Sequence, residues 1–96
     1  MKYVGNAFSL QMITDGDFRV TTISKKEFDR EKKDAHSIMG HPDMAYIHGC
    51  SYNRESIKME LGDILYVAQI TSGRLPEGCK YLPPDVKIGY KKVELL

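Results

Sequence analysis

Apolar and polar positions along the chain fall into short blocks, and those blocks predict strands punctuated by a few short helices. Residues 2–5 read as a strand. Residues 6–13 follow as a predicted helix, with Asn6 as N-cap and Phe8, Met12 and Ile13 able to share one face. Asp15-Gly16-Asp17 is a turn signal, and the β-branched run over 18–23 predicts a second strand. Ser24-Lys25-Lys26-Glu27 matches a capping box, so a charged helix is expected from there to Asp34, with Lys25/Asp29, Asp29/Lys33 and Arg30/Asp34 at i,i+4 spacing. That charge run is the signature of a solvated helix face.

Gly40-His41-Pro42 marks another helix start, because proline suits the first helical position. His41 takes the N-cap place, and the helix is expected to reach about Gly49. Arg54 is read as opening a strand, residues 56–61 alternate polar and apolar, and Gly62-Asp63 is a turn. Residues 64–70 are the most apolar run and predict a central strand. A loop over 73–78 follows, and residues from about 86 to 95 predict a closing strand. The expected fold class is α/β or α+β: a mostly five-stranded mixed sheet flanked by two or three helices, in one small domain over residues 1–96.

Length and composition narrow the possibilities. Ninety-six residues at 42% hydrophobic content suit a single globular unit with little room for a deep pocket of its own. A large ligand would be held more easily between two copies. The formal net charge of +1 leaves no excess of cations for a long nucleic acid, yet remains compatible with a short or cyclic one. Two cysteines, Cys50 and Cys79, make neither a disulfide framework nor a zinc site, and reduced thiols are expected. No stretch approaches the roughly 18 apolar residues of a membrane span and no leader pattern opens the chain, so a cytoplasmic protein is expected.

There is no Gly-rich phosphate loop, nucleophile elbow or paired metal-ligand motif, and His36, His41 and His48 are poorly spaced for a metal. No metal or other cofactor is expected. His41 is the most interesting titratable group, since an imidazole near a phosphate can act as a general acid. The simpler reading is a histidine that caps its own helix. Arg74 and Glu77 share a loop with two glycines and a proline after the apolar strand, a frequent place for function. There Arg74 could clamp a phosphate, or the two could be an ordinary surface pair. Asn6 and Ser9 are equally consistent with capping, Arg54 with plain exposure, and Asp43 with support of the helix dipole.

In combination these residues are more specific. Asn6-Ala7-Phe8-Ser9, Gly40-His41 followed by Ala45, Tyr66-Val67-Ala68-Gln69, and Gly73-Arg74-Leu75-Pro76-Glu77-Gly78 occur in an order that resembles the viral type III anti-CRISPR ring nucleases. The resemblance spans nearly the whole chain, including residues 91–96. It implies a homodimer that binds cyclic tetra-adenylate across its two-fold axis and opens the ring, silencing the CRISPR nucleases which that messenger activates.

The resemblance places the general acid on His41, with Arg74 and Glu77 completing the catalytic set. Ligand contacts carry over to Asn6, Ser9, Arg54 and Gln69, and Gln11 and Asp43 join the candidate ligand set. Met44 stands where the family pattern often has threonine, and Gln11 where some members have asparagine; both changes bear on affinity and ring size. The chemistry implied is attack by a ribose 2′-OH on its neighbouring phosphate, giving linear products with 2′,3′-cyclic phosphate ends. Two other readings stay open: a sponge that binds the ring without cutting it, and a viral structural or nucleic-acid-binding protein.

Overall fold

The computed structural model describes residues 1–7, 17–55 and 57–96. The helix expected over 6–13 runs into the remainder, and Ser9 and Gln11 lie outside the described residues. Five strands form one mixed sheet: β1 (Lys2–Gly5), β2 (Phe18–Ile23), β3 (His36–Ser37), β4 (Ile64–Ser72) and β5 (Lys87–Leu95), in the order β2-β5-β4-β1-β3. β1 runs parallel to both β3 and β4, whereas β5 is antiparallel to β4 and β2. Two α-helices among the described residues, α1 (Lys25–Glu31) and α2 (Pro42–Ile47), complete an α+β fold. No helix among the described residues is long and apolar enough to cross a membrane.

The central strand is the one its apolar run predicted. Tyr66 and Ala68 enter one cluster with Val4, Phe28 of α1, Met44 and Ala45 of α2, and Tyr90. Leu65 and Val67, on the alternate face, enter a second cluster with Ile38, Met59, Val93 and Leu95. Both helices therefore cover the first face, and β4 is apolar on each side because each side is buried.

α1 begins as its capping box predicted, with the Ser24 hydroxyl accepting from the Glu27 N–H at 3.1 Å. The α-helix stops at Glu31, however, and residues 32–34 tighten into a 3₁₀ turn. That tightening changes the ion pairs. Lys25 still meets Asp29 at i,i+4, but Asp29 pairs next with Lys32 at i,i+3 instead of Lys33. Arg30 meets Glu31, and Asp34 is taken by Lys2 of β1.

Two strand expectations need correction. No strand opens at Arg54: Tyr52 makes a single parallel bridge to Met39, and the chain then leaves the sheet. Residues 57–60 are not a strand either. Their alternation has another cause, because Met59 is buried and Ile57 half-buried against the second cluster, making the segment an irregular cover for that face. The fifth strand is instead β3, a two-residue edge strand too short and too polar to signal itself in the sequence.

Candidate functional site

The candidate residues gather because the parallel strands all end on the same side of the sheet. Asn6 directly follows β1, Gly40 and His41 follow β3, and the loop over 73–78 follows β4. In sheets with parallel strands, the crevice beyond the carboxyl ends is where ligands are usually held. Long-range contacts tie these ends together. The Asn6 side-chain oxygen accepts the Gly40 N–H at 3.0 Å. A Cβ on Gly40 would lie 3.7 Å from Cγ of Arg54 and 4.0 Å from that Asn6 oxygen, so Gly40 sits between the two.

His41 is the N-cap of α2. Its Nδ1 accepts the Met44 N–H at 3.2 Å, and Pro42 occupies the first turn as expected. An accepting Nδ1 puts the proton of the neutral ring on Nε2. The helix ends at Ile47, with His48 and Gly49 in the turn beyond it. Met44 is buried in the core, in the cluster that α2 shares with Tyr66 and Ala68 of the sheet.

The loop that carries Arg74 and Glu77 is fixed at both ends. Gly73 has φ +81°, and a Cβ there would stand 2.5 Å from the Asp85 carbonyl oxygen, so only glycine fits beside the start of β5. Leu75 is half-buried against the first cluster. The Cys79 N–H then donates to the Pro76 carbonyl at 3.2 Å, closing a turn with Gly78 at φ +77°. Positive φ at the third position alone makes this a type II turn, with Glu77 at its second position.

α2 grips that turn. The buried Asp43 carboxylate accepts the Gly78 N–H at 2.8 Å. Two residues further on, the Lys80 ammonium lies 4.6 Å from the centre of the exposed Tyr46 ring. Asp43 is thus engaged within the fold, in addition to standing in the first turn of its helix. Arg74 and Glu77 are both exposed, and no ion pair joins them or holds either elsewhere among the described residues. Arg54 is likewise exposed and unpaired among the described residues. Gln69 is exposed at the same end of the sheet, but the alternation of β4 puts it with Leu65 and Val67, on the face opposite α2.

A separate cavity of about 450 Å³ opens near the other end of α2, lined by Lys32, Ala35, His36, Ser37, Cys50 and Asn53 among others. Its polar groups largely satisfy one another. Lys32 bonds Asp29 and the His48 carbonyl, Ser37 bonds the Ser51 carbonyl, and Asn53 bonds the Ser37 carbonyl and Glu55. Burial pushes the Cys50 thiol up from its ordinary value, which keeps it protonated and unreactive. Beside it His48 is buried, its Nδ1 bonded to the Met44 carbonyl at 2.8 Å and its Nε2 to the Tyr90 hydroxyl at 3.1 Å. A carbonyl only accepts, so Nδ1 carries the proton and Nε2 accepts from Tyr90.

The sequence profile of the STIV B116-like family matches residues 2–90. The chain belongs to the STIV B116-like family. Among solved structures, B116 of Sulfolobus turreted icosahedral virus (STIV) superposes with a TM-score of 0.81 at 21% identity, over 97% of each chain. At that identity the likeness establishes a shared fold. No curated protein sequence matches the chain. Membership in the STIV B116-like family thus rests on almost the whole sequence, and the family takes its name from a viral protein.

What the sequence did not reveal is how the site is joined. The loop over 73–78 was legible from its two glycines and proline. The grip of Asp43 on that turn was not, because it spans 35 positions.

Proposed function

We propose that this protein is a ring nuclease that opens cyclic tetra-adenylate without a metal, and thereby inhibits type III CRISPR defence. The observation that carries the reading is the convergence of Asn6, His41, Arg54 and the 73–78 loop at the carboxyl ends of three parallel strands, joined by the Asn6–Gly40 and Asp43–Gly78 hydrogen bonds. A molecule of 37 × 23 × 23 Å has little room to enclose so large a ring alone. Two copies around a two-fold axis would each supply half of the site.

The substrate contributes its own nucleophile. The 2′-OH is tethered beside the phosphorus, so attack needs orientation more than activation. The new bond joins the 2′-oxygen to phosphorus, and the bond from phosphorus to the 5′-oxygen breaks. A proton leaves the 2′-OH to solvent or to Glu77, and His41 delivers one to the departing 5′-oxygen. Arg74 stabilises the charge that builds on the phosphoryl oxygens. Asn6 and Arg54 hold the ring, with Ser9 and Gln11 as further candidate contacts, whereas Gln69 faces away from α2.

One observation favours the second reading, a sponge. Nδ1 of His41 is already spent on the helix cap, which an imidazolium would have to give up, and this suits a binding residue better than an acid. Incubation with labelled cyclic tetra-adenylate in excess chelator, followed by mass spectrometry, separates the two. Linear products with 2′,3′-cyclic phosphate ends support the nuclease; recovery of a bound but intact ring supports the sponge.

A further inference from the structure

We infer that Asp43 is a positioning residue, which fixes the place of Glu77 relative to α2 by anchoring the turn through the Gly78 N–H. The catalytic consequence rests on the ring-nuclease reading, whereas the hold on the turn does not.

The geometry is specific about what is held. In a type II turn the peptide between the second and third positions has two low-energy orientations, the other being that of a type I turn. The Gly78 N–H belongs to that peptide, and the Asp43 carboxylate binds it at 2.8 Å. Holding this amide fixes the turn type and pins the turn, with Glu77 at its second position, against the start of α2. Among the described residues the Glu77 side chain makes no ion pair. Its place is therefore set by its backbone, through the anchored turn.

The anchor itself is rigid. Asp43 is only 8% exposed and follows Pro42 in α2, whose next two residues, Met44 and Ala45, are buried in the first cluster. Lys80 over the Tyr46 ring provides a second, weaker clasp from the same helix. One short helix therefore carries His41 at its start and holds the turn of Glu77 through its second residue. Any shift of α2 would carry the imidazole and the turn together, keeping their spacing.

The chemistry needed is an acceptor, not a charge, and this makes the inference testable. Asparagine at position 43 keeps an oxygen for the Gly78 N–H; alanine does not. Gly78 is exposed, so water can take over its N–H in Asp43→Ala and the variant should still fold. The experiment compares wild type, Asp43→Asn and Asp43→Ala by hydrogen–deuterium exchange of the Gly78 amide and by kcat and KM on cyclic tetra-adenylate. The expected result is faster Gly78 exchange and a kcat lower by roughly tenfold or more in Asp43→Ala, with KM changed less than kcat. Asp43→Asn should restore both readouts most of the way. Unchanged exchange in Asp43→Ala would overturn the inference, as would an Asp43→Asn variant as impaired as the alanine. If wild type does not cleave at all, the ring-nuclease reading fails, and the exchange comparison alone decides whether Asp43 holds the turn.

Discussion

Nδ1 of His41 accepts the backbone N–H of Met44 at 3.2 Å, so the residue proposed as the acid is also the cap of its own helix. The two roles make different demands on the ring. Capping needs an unprotonated Nδ1, whereas an imidazolium has hydrogens on both nitrogens. Delivering a proton as an imidazolium therefore means releasing the cap, and a bound phosphate would have to compensate for it.

Substitution can separate these roles. His41→Asn should keep the cap, since asparagine is among the best N-cap residues, while removing the acid. His41→Ala should lose both. Turnover is expected to fall by roughly 10²-fold or more in each variant. Stability is expected to fall only in the alanine variant, by about 1 kcal/mol. Single-turnover cleavage and urea unfolding, measured side by side, check this. A His41→Asn enzyme as fast as wild type would reduce His41 to a cap.

His48 gives a pH dependence of known sign. Burial pushes its imidazole below the ordinary 6.5; the bond to the Met44 carbonyl opposes that shift, and Lys32 adds to it. The unfolded chain thus binds the proton more readily than the folded one, so stability rises with pH in this window. The contribution is complete above 6.5 and is lost as pH falls from there through the depressed folded value. Urea unfolding from about pH 7.5 to about pH 5 should show wild type losing more stability than His48→Gln. Parallel losses would contradict the assignment.

Gly73 and Gly78 both have positive φ, yet they should respond differently to alanine. At Gly78 nothing lies within 4 Å of the new Cβ, leaving only the left-handed backbone cost of roughly 1–2 kcal/mol. At Gly73 the same cost is joined by a Cβ placed 2.5 Å from backbone oxygen, which must move. Thermal unfolding should therefore show Gly73→Ala as clearly the worse variant. Equal melting temperatures would mean that the contact with residues 85 and 86 is not tight in solution.

Oligomeric state tests the half-site argument directly. A symmetric dimer at micromolar concentration, with Asn6, Ser9 and His41 of both copies at its interface, is expected by light scattering and cross-linking. Cleavage should also persist in EDTA, because the proposed nucleophile belongs to the substrate. A monomer that still cleaves would overturn the shared-site scheme, and activity that returns only on adding a divalent ion would overturn the mechanism.

The sequence by itself determined the local elements. Ser24 and His41 cap helices where their spacing said they would, β2 covers the β-branched run, and the apolar run became the central strand. These signals act between residues no more than about four apart, so they can be read along the chain. Only the tertiary structure decided that His36 and Ser37 form the fifth strand and that the alternating segment near Met59 is a lid on the second cluster. It also decided that Gln69 lies on the face away from α2, and that Asp43 reaches Gly78. The Asn6–Gly40 and Asp43–Gly78 bonds span 34 and 35 positions, and each forms only once the sheet has aligned the strand ends. A carboxylate in the first turn of a helix looks the same in sequence whether it faces water or the backbone N–H of a distant loop, because that difference depends on residues far away along the chain.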